Sequence, residues 1–190
     1  MKKNKQTVLV TGGAGFIGSH LVDELLASGY SVHAIDNLSN GRLENLRGAL
    51  KNNNFKFTEG DILKPELCVS VCDGIDYVFH LACLGVRHSI HSPFMNHRVN
   101  AEGTLNILEG ARINNIKKFY YISTSEIYGD ILKFPIDELG LPAPKTVYGS
   151  SKLAGENYAI SYYKCYGLKT TILRIFNNYG PRAHHEADAG

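Results

Sequence analysis

A glycine-rich turn between an apolar run and an amphipathic run constrains the fold of this chain more than any other feature. Residues 11–18 read TGGAGFIG, after a strand predicted at 7–10 and at the start of a helix predicted from about 15 to 27. Two spacings are present at once, Gly12-Gly15-Gly18 and Gly13-Gly15-Gly18. Such glycines let the backbone approach a pyrophosphate, and the helix N-terminus offers it free N–H groups. The turn therefore predicts a dinucleotide site.

Strands and helices alternate along the rest of the chain. Strands are predicted at 31–35, 55–59, 75–81, 118–123 and 170–175, and helices at about 42–51, 93–114 and 148–166, with Gly29 ending the first helix. Near-continuous apolar strands between helices are typical of a parallel sheet covered on both faces. We predict an α/β fold of the Rossmann type, a doubly wound parallel sheet in three αβα layers, with ligands at the carboxyl ends of the strands.

Composition favours one ordinary globular domain. The chain has 190 residues, is 44% hydrophobic and carries a net charge of +2, without a strongly basic or acidic block that would indicate nucleic acid or an anionic membrane. No signal peptide or spanning segment is recognisable. The four cysteines, Cys68, Cys72, Cys83 and Cys165, lack zinc-site spacing and are interpreted as reduced, partly buried thiols of a cytoplasmic protein.

Acidic residues at two strand ends bear on the choice of cofactor. Asp36 ends the second strand and suits the two hydroxyls of an adenosine ribose, while it would repel a 2′-phosphate, so NAD is predicted over NADP. Arg42 is expected on a solvated helix face. Asp61 follows the third strand and is either a turn or helix cap or a hydrogen-bond partner of adenine.

Tyr148 and Lys152 indicate the chemistry. They lie four residues apart on a predicted helix and therefore share one face. A nearby cation favours a phenolate and lowers the pKa of a phenol from about 10. Such a phenol exchanges protons with a hydroxyl, and with a dinucleotide to take the hydride an alcohol becomes a ketone.

Several motifs occur in the order of a known family. They are residues 11–18, 36–38 (DNL), 60–62 (GDI), 80–82 (HLA), 123–129 (STSEIYG), 148–152 (YGSSK) and 174–177 (RIFN). The chain resembles the extended short-chain dehydrogenase/reductases, specifically the NAD-dependent nucleotide-sugar epimerase/dehydratase family. The resemblance implies a Rossmann domain at 1–182, bound NAD, a nucleoside-diphosphate sugar as substrate, and a C-terminal substrate domain of which 183–190 would be the start.

The resemblance also implies roles for single residues. Tyr148 is the base, Lys152 its partner and a ligand of the nicotinamide ribose, Thr124 binds the reacting sugar oxygen, Asn100 supports the active-site backbone, and Asn177 contacts the substrate diphosphate. The implied cofactor set is Gly12, Gly15, Phe16, Ile17, Gly18, Asp36, Asn37, Asp61, Ile62, Leu81, Ala82, Asn100, Tyr148 and Lys152. The substrate set is Arg87, Thr124 and Asn177, with Arg87 a candidate bidentate phosphate donor.

Glu126 leaves the outcome of the reaction open. In relatives that eliminate water or carbon dioxide, a carboxylate at this position serves as acid or base; otherwise it is an exposed or salt-bridged glutamate. We favour a 4-epimerase, with a 4,6-dehydratase or decarboxylase as alternative and a catalytically silent NAD-binding fragment as the alternative from another class. The family often forms a homodimer through the Tyr148 helix and the preceding long helix.

Histidines carry less weight. His88 and His91 are expected in a loop after the fourth strand. His184, His185 and Glu186 do not predict a metal site, because adjacent ligands rarely converge on one ion.

Overall fold

A six-stranded parallel sheet organises the residues that the computed structural model describes, 5–130 and 134–183. The strands are β1 (Thr7–Thr11), β2 (Ser31–Asp36), β3 (Phe55–Glu59), β4 (Tyr77–His80), β5 (Lys118–Thr124) and β6 (Thr170–Ile175). Their order is β3-β2-β1-β4-β5-β6, with every neighbouring pair parallel. This is the order of the doubly wound fold, which confirms the predicted class.

The helices match the predictions at both ends of the chain and depart from them between. They are α1 (Phe16–Ala27), α2 (Pro65–Val71), α3 (Val86–His91), α4 (Pro93–His97), α5 (Gly103–Ile113) and α6 (Val147–Tyr166). α3 corrects the expectation of a loop around His88 and His91. The helix predicted at 93–114 is divided by a π-helical turn, Arg98–Glu102, between α4 and α5.

The helix predicted at 42–51 is wrong. Two 3₁₀ turns, Leu43–Leu46 and Ala49–Lys51, occupy that stretch. The backbone N–H of Arg42 and the side-chain amide of Asn45 both donate to the carbonyl of Ala14, at 3.0 and 2.8 Å. These bonds hold the segment against the glycine turn, and Arg42 itself is exposed.

Alternation along β1 divides the core between the two faces of the sheet. Val8 and Val10 point to one face, where they pack with Val22 of α1. Leu9 points to the opposite face, in the cluster that includes Ile107 of α5 and Ala159 of α6. Helices on both faces leave the carboxyl edge of the strands for binding.

Two predictions at the C-terminus cannot be placed. Residues 184–190, with His184, His185 and Glu186, lie outside the described residues. The division into a domain at 1–182 and the start of another at 183–190 stays a prediction.

Candidate functional site

A cleft of about 550 Å³ lies at the carboxyl ends of the strands, beside the β1–β4 pair where the strand order reverses. Of the residues predicted for cofactor, substrate or catalysis, those lining it are Gly12, Gly15, Phe16, Ile17, Gly18, Asp36, Asn37, Asp61, Ile62, Leu81, Ala82, Arg87, Thr124, Glu126, Tyr148, Lys152 and Asn177. The fold thus brings together residues up to 165 positions apart in sequence.

Gly12 and Gly18 of the glycine turn have no room for a side chain. Gly12 has a φ of +69°, and a Cβ there would lie 2.8 Å from the backbone N of Ala82. A Cβ on Gly18 would lie 2.1 Å from the carbonyl oxygen of Gly12. α1 begins at Phe16 without a side-chain cap, and the first amides of a helix have no intrahelical acceptor. A backbone cradle that ends in unused N–H groups at a helix N-terminus fits the pyrophosphate of a dinucleotide.

Asp36 is fixed at the wall of the cleft by the backbone. Its two carboxylate oxygens accept hydrogen bonds from the N–H groups of Ala14, at 3.0 Å, and Leu38, at 2.9 Å. Burial raises the pKa of Asp36, while these two bonds lower it. The carboxylate is therefore held rigidly where β2 ends, as a ribose ligand requires.

Asp61 forms the turn that was one of its two predicted interpretations, and contact with an adenine stays a prediction. One oxygen accepts from the N–H of Leu63 at 2.9 Å, which closes a local turn, and the other accepts from the side-chain amide of Asn37 at 3.3 Å. The residue also lines the cleft. The turn geometry consequently does not conflict with contact to an adenine.

A buried polar relay supports the loop that follows β4. Thr11 Oγ1 accepts from the N–H groups of Leu81 and Ala82, at 3.2 and 3.1 Å, so its proton goes to His80 Nδ1 at 2.7 Å. His80 Nε2–H then donates to Thr104 Oγ1 at 2.9 Å. Burial, and to a lesser degree the charge of Lys152, lowers the pKa of His80 to about 3, so the ring is neutral.

Asn100 lies behind the cleft rather than on its wall. Its side chain accepts from the N–H of Leu84 at 2.8 Å and donates to the carbonyl of Leu84, to Asn96 Oδ1 and to Ser151 Oγ, at 2.9, 3.1 and 3.0 Å. The residue is 1% exposed. This position fits the predicted support of the site backbone, and it does not fit direct contact with a cofactor.

Tyr148 interacts with both Lys152 and Thr124, and all three line the cleft. α6 carries the first two on one face, and its first turn is capped by Thr146, whose side chain accepts from the N–H of Gly149 at 2.9 Å. Lys152 is 2% exposed, with its Nζ 4.4 Å from the ring centroid of Tyr121. Thr124 ends β5 and caps the following 3₁₀ turn.

The pKa of Tyr148 differs from the prediction, because it is raised rather than lowered. Burial is the largest influence and raises the pKa of Tyr148 above its ordinary value, and an electrostatic contribution from Cys83 adds to that. Lys152 and the hydrogen bond from Thr124 lower it, as predicted, without outweighing burial. Spacing on a helix predicted the opposing cation but not the desolvation.

The other predicted residues lie on the more open part of the cleft. Glu126, Arg87 and Asn177 are all exposed and line it. Arg87 lies on α3, and Asn177 is the second residue after β6. Their side chains are therefore accessible from solvent at the cleft wall.

Two polar atoms at the cleft were missed by the sequence reasoning as binding groups. Ser123 Oγ and His88 Nδ1 are buried without a hydrogen-bond partner in the part of the chain that the structure describes, and both residues line the cleft. Such orphaned groups are uncommon in a native interior and mark places where a ligand can bind. The position of Ser123 at the carboxyl end of β5 was the available signal.

Other features bear on what the site could bind. Among residues 5–130 and 134–183, no cluster of three or more His, Cys, Asp or Glu side chains could hold a metal ion. In the same residues, no helix has the length and apolarity needed to cross a bilayer. All four cysteines are free, with Cys68 and Cys72 buried and Cys83 and Cys165 exposed.

Comparisons with known proteins agree with the geometry. A family model for the NAD dependent epimerase/dehydratase family matches residues 8–190. The putative UDP-glucose 4-epimerase of Methanocaldococcus jannaschii is 38% identical over 186 residues, which cover 96% of this chain and 59% of that protein. UDP-glucuronic acid decarboxylase 1 of Arabidopsis thaliana is also 38% identical, over 95% of this chain and 41% of its own length.

A solved structure extends the likeness to three dimensions. The dTDP-glucose 4,6-dehydratase DesIV of Streptomyces venezuelae, with NAD and TYD bound, superimposes with a TM-score of 0.92 at 34% identity, covering 95% of this chain and 59% of that one. The chain therefore spans about three fifths or less of the length of the proteins it matches here.

Proposed function

Because this chain belongs to the NAD-dependent epimerase/dehydratase family, we propose that it is the cofactor-binding and proton-transferring part of a nucleotide-sugar 4-epimerase. The observation that supports this most is the shared cleft. One part of it is a glycine cradle with Asp36, and the other holds Tyr148, Lys152 and Thr124. A dinucleotide and a hydroxyl-bearing carbon would meet between them.

The residues divide the oxidation among themselves. Bound NAD supplies a hydride acceptor, for which the glycine turn and Asp36 provide the binding groups. Tyr148 takes the proton of the sugar C4 hydroxyl onto its phenolate oxygen as the C4 hydrogen leaves with its electron pair, which gives a 4-keto sugar. Lys152 and Thr124 favour the phenolate against the burial that opposes it.

Epimerisation follows when the keto sugar rotates in the site and the hydride is returned to the opposite face of C4. The reverse proton transfer then comes from the Tyr148 hydroxyl. This outcome needs no further acid or base, and the M. jannaschii relative carries the name of such an enzyme.

Elimination is the second candidate, and Glu126 favours it. Its carboxylate is exposed on the cleft wall, two residues beyond Thr124, where it could act on a neighbouring carbon of the same keto sugar. The names of the A. thaliana and S. venezuelae relatives denote a decarboxylase and a dehydratase.

A catalytically silent NAD-binding unit is the candidate from another class. The sugar-side residues Phe176, Asn177 and Asn178 are exposed, whereas the glycine turn is largely enclosed. The 190-residue chain alone would bind a cofactor better than a sugar, since a good pocket buries most of its ligand.

Assembly and location are further parts of the proposal. Phe94 of α4 and Tyr163 of α6 are 86% and 57% exposed, and Ile160 of α6 is 39% exposed. We propose that this face of the two helices forms a homodimer contact, which sedimentation of the wild type and Tyr163→Glu would test. Four free thiols and a need for NAD support a cytoplasmic location.

The deciding experiment uses a longer reading frame that contains this chain. The protein is incubated with NAD and, separately, UDP-glucose, UDP-glucuronate and dTDP-glucose, and the products are identified by mass spectrometry and NMR. A 4-epimer supports the first candidate, and a dehydrated or decarboxylated sugar supports the second. Tyr148→Phe is the control, which should bind NAD but lose about 10²–10⁴-fold in rate. Bound NAD without conversion of any sugar would favour the silent unit.

A further inference from the structure

The face of α6 that carries Tyr148 and Lys152 continues one turn further to a buried carboxylate. Tyr148, Lys152 and Glu156 are spaced by four residues, so their side chains follow one another along one face. Lys152 and Glu156 are 2% and 1% exposed. Side chains at positions i and i+4 of a helix are neighbours, and opposite charges there attract strongly where water is excluded. Glu156 is therefore placed to compete for the ammonium that the cleft uses.

Arg174 of β6 forms an ion pair with the carboxylate of Glu156. Its Nε donates to Glu156 Oε1 at 3.0 Å and its Nη2 to Oε2 at 2.9 Å, which is a bidentate pair. Nη1 donates to the hydroxyl of Tyr128 and to the carbonyl of Glu138, both at 2.9 Å. The guanidinium is thus fixed by three partners on three different segments.

Tyr121 lies on the Lys152 side of this pair. Its hydroxyl donates to the carbonyl of Lys152 at 3.1 Å, and its ring occupies the space where a Cβ on Gly155 would lie, 2.2 Å from the hydroxyl oxygen. The Lys152 ammonium sits 4.4 Å from the ring centroid, with Glu156 already paired to Arg174. A cation over an aromatic face is stabilised without a carboxylate partner.

We propose that Arg174 is a positioning residue that keeps Glu156 from pairing with Lys152, so that the ammonium stays available to Tyr148 and the bound cofactor. Loss of the guanidinium would leave a buried, uncompensated carboxylate, and the nearest cation along α6 is Lys152. If the Lys152 ammonium moved toward Glu156, it would move along α6 away from Tyr148. The consequence for the cofactor rests on the proposed function, whereas the movement of Lys152 does not.

The test compares four variants of the chain: Arg174→Met, Glu156→Gln, the double variant and Arg112→Met. Crystal structures give the position of Lys152 Nζ, and calorimetry gives the NAD affinity. In Arg174→Met we expect Nζ within about 4 Å of the Glu156 carboxylate and an NAD affinity about tenfold lower, the effect of one charged hydrogen bond. Glu156→Gln should bind NAD as the wild type does, because no carboxylate then competes for Lys152.

The double variant separates positioning from simple structural support. It lacks every bond that Arg174→Met lacks, but it has no carboxylate to attract Lys152. We expect Nζ back over Tyr121 and an NAD affinity within about threefold of the wild type. A purely structural role predicts a double variant at least as poor as Arg174→Met.

Arg112→Met is the matched control. It removes another bidentate pair, in which Arg112 Nε and Nη2 donate to Glu109 at 2.8 and 2.6 Å on α5. Because that pair lies outside the residues that line the cleft, NAD affinity should not change. If Arg174→Met does not fold, Arg174→Lys keeps one cation with fewer donors, and it should give an intermediate shift of Nζ and of affinity.

Two results would overturn the proposal. One is a Lys152 ammonium that stays over Tyr121 in both Arg174→Met and Arg174→Lys. The other is a double variant whose NAD affinity is no higher than that of Arg174→Met. Failure of the proposed function looks different, because the unmutated chain would then not bind NAD, while the crystal position of Lys152 would still report on Arg174.

Discussion

The buried imidazole of His80 should make the fold sensitive to mild acid. Burial lowers the pKa of His80 from 6.5 to about 3 in the folded chain, whereas the unfolded chain titrates at the ordinary value. The unfolded state therefore binds the proton first as the pH falls. The stability from a neutral His80 is fully present above pH 6.5 and is lost progressively between pH 6.5 and 3.

The size of the loss follows from those two values. At pH 5 the unfolded imidazole is about 1.5 units below its pKa and almost wholly protonated, while the folded one is not. At 1.36 kcal/mol per unit, the free energy of unfolding falls by about 2 kcal/mol between neutral pH and pH 5. That is a large part of the 5–15 kcal/mol of a typical domain.

His80→Gln isolates this effect. A glutamine can accept from Thr11 and donate to Thr104 as the imidazole does, but it does not titrate. Urea unfolding followed by circular dichroism at pH 7 and pH 5 gives the loss for each protein. The wild type should lose about 2 kcal/mol more than His80→Gln, since His33, which is also buried, contributes equally to both.

A control and a contrary result complete the experiment. His97→Gln removes an exposed imidazole of α4 and keeps His33 and His80, so its loss of unfolding free energy should match that of the wild type. Equal losses in the wild type and His80→Gln would mean that the folded protein accommodates a protonated His80, and the relay from Thr11 to Thr104 would then be wrongly assigned.

Three further predictions concern the cofactor and the outcome of the reaction. Gly12→Ala should weaken NAD binding at least about tenfold in calorimetry, because its Cβ would lie 2.8 Å from the backbone N of Ala82 and its φ is +69°; wild-type affinity would contradict the cradle. The unmutated chain should bind NAD more tightly than NADP, and Asp36→Ala should narrow that difference; equal affinities in the unmutated chain would sink the assignment. In the longer protein, Glu126→Gln should leave an epimerase within a few-fold of normal turnover, whereas 4-keto sugar trapped in the variant and detected by mass spectrometry would show that the enzyme eliminates.

Local chemistry allowed much of the fold to be predicted from the sequence. The strands were recognisable because apolar runs of four to seven residues alternate with longer amphipathic ones, and all six exist where they were expected, with ends that shift by up to two residues. The glycine turn was recognisable because only glycine tolerates the contact between Gly12 and Ala82.

The errors lie where tertiary contacts override periodicity. Residues 42–51 have a helical pattern, but bonds from Arg42 and Asn45 to Ala14 hold them as 3₁₀ turns. The π turn at Arg98–Glu102 places Asn100 beneath Leu84 and Ser151, and neither partner can be identified from spacing alone.

Residue types and spacing determined which groups could do chemistry in this protein: a phenol and an ammonium on one helical face, a carboxylate after β2, and glycines before a helix. Only the tertiary structure decided how burial and neighbouring charges together set the pKa values of these groups. Burial, which depends on every packed neighbour, raises the pKa of Tyr148 against the pull of Lys152. The partner of Glu156 came from β6, 18 residues further along the chain, because a sheet brings distant side chains within bonding distance.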